Sequence, residues 1–144
     1  MALSIAGSDS CGGAGIQRDL ATFADIGVPG ASAITCVTAQ TPGAVLSIHP
    51  LPADVVAAQI AAVLRCGNVK AVKTGMLYNA AIIRTVAKYR LKNLVVDPVM
   101  VASSGARLLK PAAINALQDR LLPLATVITP NLAEAELLAQ IAKR

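Results

Sequence analysis

Short apolar runs of strand length alternate along this chain with longer runs of helical period, and that alternation constrains the fold more than any other feature. Residues 2–6, 32–37, 69–72, 94–96 and 126–128 are short, apolar and mostly β-branched or small. Between them, Ile16, Leu20 and Phe23 fall at i, i+4 and i+7. Val56, Ile60, Val63 and Leu64 mark a second helical face, Ile82, Val86 and Tyr89 a third, and Ile114, Leu117 and Leu121 a fourth. The fourth opens at Pro111, where a first-turn proline is tolerated. Asp54 and Asn79 stand where N-caps are expected, and Gly67 is placed to stop a helix before the third strand. Strands apolar on both sides, alternating with helices, predict parallel βαβ units and a sheet covered on both faces. No linker, repeat or low-complexity tract interrupts residues 1–144, which therefore read as one α/β unit.

Composition removes several other classes. At 55% hydrophobic and 15% charged residues the chain has the apolar surface to build a core, so disorder is excluded. The apolar content is mostly small: 28 Ala against one Phe, two Tyr and no Trp, which suits close helix–sheet layers rather than an aromatic binding face. The longest charge-free stretch, residues 26–53, is broken by Gly27, Pro29, Gly30, Pro42, Gly43, Pro50 and Pro52, so no membrane span is expected. The N-terminus has no basic n-region and Asp9 interrupts its apolar run, so no signal peptide is read there. Net charge is +5, split as −3 over residues 1–64 and +8 over residues 65–144. With three aromatics and no nucleic-acid motif, that basic half is read as solvated helix faces, and no nucleic-acid partner is expected. Cys11, Cys36 and Cys66 are odd in number and show no CxxC spacing, which indicates reduced thiols and a cytoplasmic protein. His49, the single histidine, is placed on the surface in a loop-like stretch before Pro50.

In an open parallel sheet, ligands bind beyond the carboxyl ends of the strands. Each strand here exits into glycines or hydrogen-bonding groups: residues 7–15 (GSDSCGGAG), 38–41 (TAQT), 73–76 (KTGM), 97–100 (DPVM), and Thr129-Pro130-Asn131 followed by Glu134. All five exits are expected on one rim. The glycine-rich segment could cradle a phosphate or simply let the first helix pack tightly on its strand; it is neither a Walker loop nor a GxGxxG fingerprint. Gln40 presents a donor and an acceptor side by side, as the edge of a heterocycle requires. Asn131 and Glu134 sit three apart at a helix start, the spacing of a cap or of a carboxylate holding Mg²⁺ beside a phosphate. Asp97 at the end of a buried strand needs a partner or a metal, and Lys73 from the neighbouring exit could pair with it or meet an anionic substrate.

The ordered motifs Ile5 to Gln17, Asp19-Leu20, Thr38-Ala39-Gln40, Val72 to Leu77, Val96 to Met100, and Thr129-Pro130-Asn131-Leu132 with Glu134-Ala135 resemble the hydroxymethylpyrimidine/phosphomethylpyrimidine kinases of thiamine biosynthesis. The resemblance implies a three-layer α/β, parallel-sheet ribokinase-like fold, of which residues 1–144 form the N-terminal part. It implies ATP and Mg²⁺ as cofactors and a small pyrimidine alcohol, then its monophosphate, as substrate. It carries substrate-binding roles onto Gly7, Asp19, Thr38, Gln40, Met76 and Val99. It carries the ATP/Mg²⁺-phosphate region onto Asn131, Glu134 and Asp97, with Glu134 and Asp97 as metal ligands. Relatives often dimerise, so a homo-oligomer is admitted too.

Two features depart from the family's pattern. The segment from Met76 to Asp97 is about one helical turn shorter. The family is also about twice as long, and its second half carries a Gly-Thr-Gly-Cys turn that forms the anion hole and supplies the catalytic cysteine. No Gly-Thr-Gly occurs in these 144 residues, and Cys11 lies in the wrong motif to substitute. The chain by itself is therefore expected to lack catalytic residues and to be inactive. A pyridoxal kinase of the same fold, and a non-catalytic remnant or binding module, are the competing readings.

Overall fold

A computed structural model describes residues 1–100, 109 and 111–141. In chain order the elements are β1 (Ala2–Asp9), α1 (Gly15–Asp25), β2 (Gly30–Thr41), β3 (Ala44–Pro50), α2 (Ala53–Arg65), β4 (Ala71–Thr74), α3 (Ala80–Lys88), β5 (Leu94–Val96), α4 (Pro111–Ala116), β6 (Val127–Ile128) and α5 (Leu132–Ile141). They build one six-stranded sheet of order β3-β2-β1-β4-β5-β6. The five expected strands are all there and mutually parallel. The sixth, β3, runs antiparallel to β2 and was not expected. Pro42, Gly43, Pro50 and Pro52 made its stretch read as a loop. Pro42 and Gly43 in fact form the hairpin turn and Pro50 the far end of an edge strand, where proline is tolerated, while Pro52 lies beyond it at the start of α2. His49 accordingly sits in β3 rather than in a loop, and it is exposed as expected.

From β1 the chain moves one way to β2, and from β3 it returns past β1 to β4, β5 and β6. Right-handed crossovers then put α1 on one face and α2, α3 and α4 on the other. Both faces carry helices, but unequally. The main core joins Leu3, Ile5, Val72, Leu94 and Val96 of the sheet to Val56 and Ile60 of α2, Ile82, Ile83 and Val86 of α3, and Leu117 and Leu121. Burying each such side chain contributes on the order of 1.5–3 kcal/mol. On α1 the buried residue is Ile16 alone.

Local chemistry sets the helix ends. Asn79 caps α3, its side chain accepting from the Ile82 N–H at 3.0 Å. Gly67 follows α2 at φ +75°, the left-handed conformation that ends a helix most readily with glycine. Asp54 does not cap α2: Pro52 holds that position, and Asp54 lies in the first turn, where its charge meets the positive helix end. The fourth helical face is not one α-helix either. After Ala116 the backbone widens into a π-helical turn (Leu117–Leu121) and then a 3-10 turn (Leu122–Leu124). Leu117 and Leu121 still reach the core, so the apolar spacing was read correctly while the helix type was not.

A side chain completes the sheet where β3 stops short. Ile34 of β2 lies before the first β2–β3 pair, Cys36 with Pro50. Gln59 of α2 fills that gap: its Oε1 accepts from the Ile34 N–H at 2.9 Å and its Nε2 donates to the Ile34 carbonyl at 3.0 Å.

Candidate active site at the switch in strand order

The connections leave β1 toward β2 on one side and reach β4 on the other, so a crevice opens above the carboxyl ends of β1 and β4. A cavity of about 250 Å³ lies there. Its walls come from Gly7, Ser8 and Asp9 of β1, Thr38 and Gln40 of β2, and Val45 of β3. Lys73, Gly75 and Met76 at the exit of β4, and Asp97 and Val99 after β5, close the other side. Of the residues expected at the substrate, Gly7, Thr38, Gln40, Met76 and Val99 meet around this one space.

Gly7 is where the β1–β2 register shifts, between Ala6 and Ser8. A Cβ there would lie 2.7 Å from Cys36 Sγ and 2.9 Å from Met76 Cε, so any larger residue would push both side chains aside. Thr35 fixes Met76 from behind, its hydroxyl donating to the Met76 carbonyl at 2.6 Å. The Thr38 hydroxyl donates to the Ser8 carbonyl at 2.8 Å and lies 3.3 Å from Gln40 Oε1. Ser10 latches the other side of Gln40, accepting from its N–H at 2.8 Å and donating to its carbonyl at 2.9 Å. The Gln40 amide nitrogen has no protein partner among the described residues. Val99 has φ +39°, a conformation a β-branched residue adopts only under constraint, and such strain concentrates at ligand sites.

Three N–H groups of the glycine loop are taken up within the loop itself. Asp9, nearly fully buried, accepts the Cys11 N–H on Oδ1 and the Ala14 N–H on Oδ2, both at 2.9 Å, while the Gly12 N–H donates to its carbonyl at 3.1 Å. Two of these donors hold a carboxylate of the chain itself and the third holds its main-chain carbonyl. Gln17 locks the arrangement, accepting from the Asp9 N–H at 2.9 Å and donating to Ser8 Oγ at 2.8 Å. At Gly15 the backbone is left-handed (φ +58°) and an added Cβ would collide with the Gly7 carbonyl, which fixes how α1 leaves the loop.

Asp19 does not line the cavity. Its carboxylate takes the Ser4 hydroxyl at 2.6 Å and the Lys73 ammonium at 2.8 and 3.1 Å. Lys73 lines the cavity and lies 3.7 Å from Asp97 Oδ2, so its tight partner is Asp19, with Asp97 second. Burial pushes the Asp97 carboxyl above its ordinary value; the Lys73 ammonium opposes this, and the nearby charges of Glu134 and Asp19 add to it.

Asn131 and Glu134 stand apart from the cavity walls. They form a reciprocal cap at the start of α5: Asn131 Oδ1 accepts the Glu134 N–H at 3.0 Å, and Glu134 Oε2 accepts the Asn131 N–H at 3.1 Å. Glu134, only 2% exposed, also accepts the Met100 N–H at 2.9 Å, tying α5 to the segment that carries Asp97 and Val99. Four parallel-strand exits therefore share the cavity, and the fifth supports it from behind. The sequence reading missed Asp9 and Ser4. An Asp three residues before the Gly12-Gly13 turn is an Asx-turn signal for the first, and a serine inside an apolar strand marks the second.

A mainly parallel sheet with a polar cavity at its switch point, and Lys73 beside Asp97 on the cavity wall, defines an α/β ligand-binding fold; solved structures place that fold among the ribokinase-like kinases. The phosphomethylpyrimidine kinase of Clostridium difficile 630 superposes with a TM-score of 0.90 at 48% identity, covering 96% of this chain and 62% of that one. An ADP complex of Bacillus subtilis pyridoxal kinase superposes with a TM-score of 0.84 at 44% identity, over 96% and 53%. The chain belongs to the phosphomethylpyrimidine kinase family, whose match runs over residues 9–144. The hydroxymethylpyrimidine/phosphomethylpyrimidine kinase of Rhizobium meliloti is 54% identical over 141 residues, which are 96% of this chain and 53% of that protein. The chain thus spans about half the length of the curated relatives it matches, and the family is one of phosphotransferases. Among the described residues no helix is long and apolar enough to cross a membrane.

Proposed function

We propose that residues 1–144 are the pyrimidine-binding part of a single ribokinase-like kinase domain. The whole enzyme, on this reading, uses ATP to phosphorylate 4-amino-5-hydroxymethyl-2-methylpyrimidine and then its monophosphate, in thiamine biosynthesis. The observation that carries the proposal is the convergence of Gly7, Thr38, Gln40, Met76 and Val99, from four separate chain segments, on one cavity. Gln40 would read the aminopyrimidine edge with its amide, Met76 and Val99 would supply apolar contact, and Asp19 would act through Lys73.

Mg²⁺ prefers oxygen donors, and the residues present fit it in kind. Asp97 on the cavity wall would hold it, with Glu134 adding negative charge from behind while its oxygens cap α5. When bound, Mg²⁺ supplies charge neutralisation for the transferring phosphates. Phosphoryl transfer also needs donors around the equatorial oxygens. No Gly-Thr-Gly turn lies within residues 1–144, so these residues are proposed to bind pyrimidine without turning over ATP.

Titration calorimetry with the pyrimidine alcohol tests the reading. Gln40→Ala is expected to weaken binding by about 1–3 kcal/mol, roughly 5- to 150-fold, as for a recognition group left unpaired. Unchanged affinity removes Gln40 from the site. A pyridoxal kinase is the second reading, favoured by the similarity to the Bacillus subtilis enzyme. Tighter binding of pyridoxal than of the pyrimidine alcohol would decide for it.

A further inference from the structure

On the sheet face opposite α1, α3 and the π-helical turn enclose a second concavity, of about 400 Å³, which shares no residue with the switch-point cavity. Arg84, Lys88, Arg90 and Arg120 line it together with a single acid, Asp119, for a net charge of +3. Ala87, Pro123 and Leu124 supply apolar lining. Among the described residues every ion pair within 4.0 Å involves Lys73, so none of these four cations is paired to Asp119 or to another described carboxylate.

The geometry concentrates that charge instead of dispersing it. Arg84 and Lys88 are four apart on α3, which sets them side by side about 5–6 Å apart at Cβ. Arg90 follows the helix end at φ +45°, a left-handed conformation uncommon for arginine. Arg120 comes from the facing π-helical turn, a rare backbone form that recurs at functional sites. A basic residue in the last turn of a helix complements the helix dipole, and this accounts for Lys88. It does not account for Arg84, a turn earlier, or for Arg120 across the groove. Cations so close repel one another, and an anion seated between them relieves that repulsion.

We infer that this groove is a second ligand site, for a small molecule carrying two or more linked phosphate groups. Guanidinium groups on both walls match phosphate oxygens in pairs. The volume is that of a small-ligand pocket, and the lining has no aromatic residue on which a base would stack.

The test is a titration of the ¹⁵N-labelled chain with inorganic pyrophosphate at low salt, without metal. Saturable amide shifts are expected within residues 84–90 and 119–124 and not at Gly7 or Gln40, and the affinity should fall as salt is raised. Arg84→Gln with Arg120→Gln, both exposed positions, should weaken binding at least tenfold with an unchanged circular dichroism spectrum. Absence of saturable shifts at the groove by millimolar pyrophosphate overturns the inference, as does a double variant that binds like the parent. Tighter binding of a short DNA duplex than of pyrophosphate through the same residues would overturn the small-ligand assignment.

Discussion

Replacing Asp19 by alanine removes the acceptor of one fully buried hydroxyl and the tight partner of one lysine, and the structure separates the two effects. Ser4 is 0% exposed, and Asp19 is its hydrogen-bond acceptor at 2.6 Å. A buried hydroxyl left without a partner costs about 1–3 kcal/mol. The Lys73 side chain is 27% exposed and keeps Asp97 at 3.7 Å, so water and the second carboxylate absorb most of that loss, leaving about 0–1 kcal/mol. Asp19→Ala is therefore expected to destabilise the chain by about 1–4 kcal/mol. Asp19→Asn keeps an oxygen for Ser4 but sets an amide N–H donor beside the Lys73 ammonium, and should cost less than Asp19→Ala, about 1–2 kcal/mol. Adding Ser4→Ala to Asp19→Ala removes the stranded hydroxyl, so the double variant should be more stable than the sum of the singles by about 1 kcal/mol or more. Urea unfolding followed by far-UV circular dichroism measures all four. If Asp19→Asn is as costly as Asp19→Ala, or if the alanine variant lies within about 0.5 kcal/mol of the parent, the argument from Ser4 is wrong.

Gln59→Ala strips both partners from the Ile34 peptide groups at a half-covered edge where water can substitute in part. A loss of about 1–2 kcal/mol is expected, a Tm drop of roughly 3–8 °C by calorimetry, and a drop under about 1 °C contradicts it. Cys36 is buried and its thiol is raised above the ordinary 9.0, chiefly by burial, with the Thr35 hydroxyl opposing. In the native chain at pH 8 a chromogenic disulfide should therefore titrate Cys11 and Cys66 promptly and Cys36 only on unfolding. For a thiol raised in the folded state, the stabilisation is fully present below its unfolded value near 9.0 and is lost as pH rises through the folded one. Stability should thus fall on alkaline titration past pH 9.0 in the parent, with a shallower slope in Cys36→Ala; equal slopes exclude Cys36 as the cause.

What was legible in the sequence was periodic or punctuated. Residues 94–96 were read as a strand and are β5; Asn79 and Gly67 bound helices as read. The hairpin strand β3 was hidden because proline at its two ends carries the same letters as a loop, and its Pro42-Gly43 turn was a readable signal that went unused. The site divides along a similar line. Gly7, Gln40, Met76 and Val99 stand at strand exits, which the sequence alone puts on one rim, and they line one cavity. Residues that act on another side chain were not legible in this way. Asp19 reaches Ser4 across 15 positions and Lys73 across 54, and no local pattern records such distances. A physical constraint does record one end of each pair. Ser4 stands in a strand otherwise apolar up to Gly7, so its hydroxyl must find a partner. Helix α1, which packs on β1, carries Asp19 about one turn after Ile16, the residue it buries. From that pairing follows the third member, because a carboxylate drawn that far into the sheet requires a cation, and Lys73 is the cation at the exit of the neighbouring strand, β4.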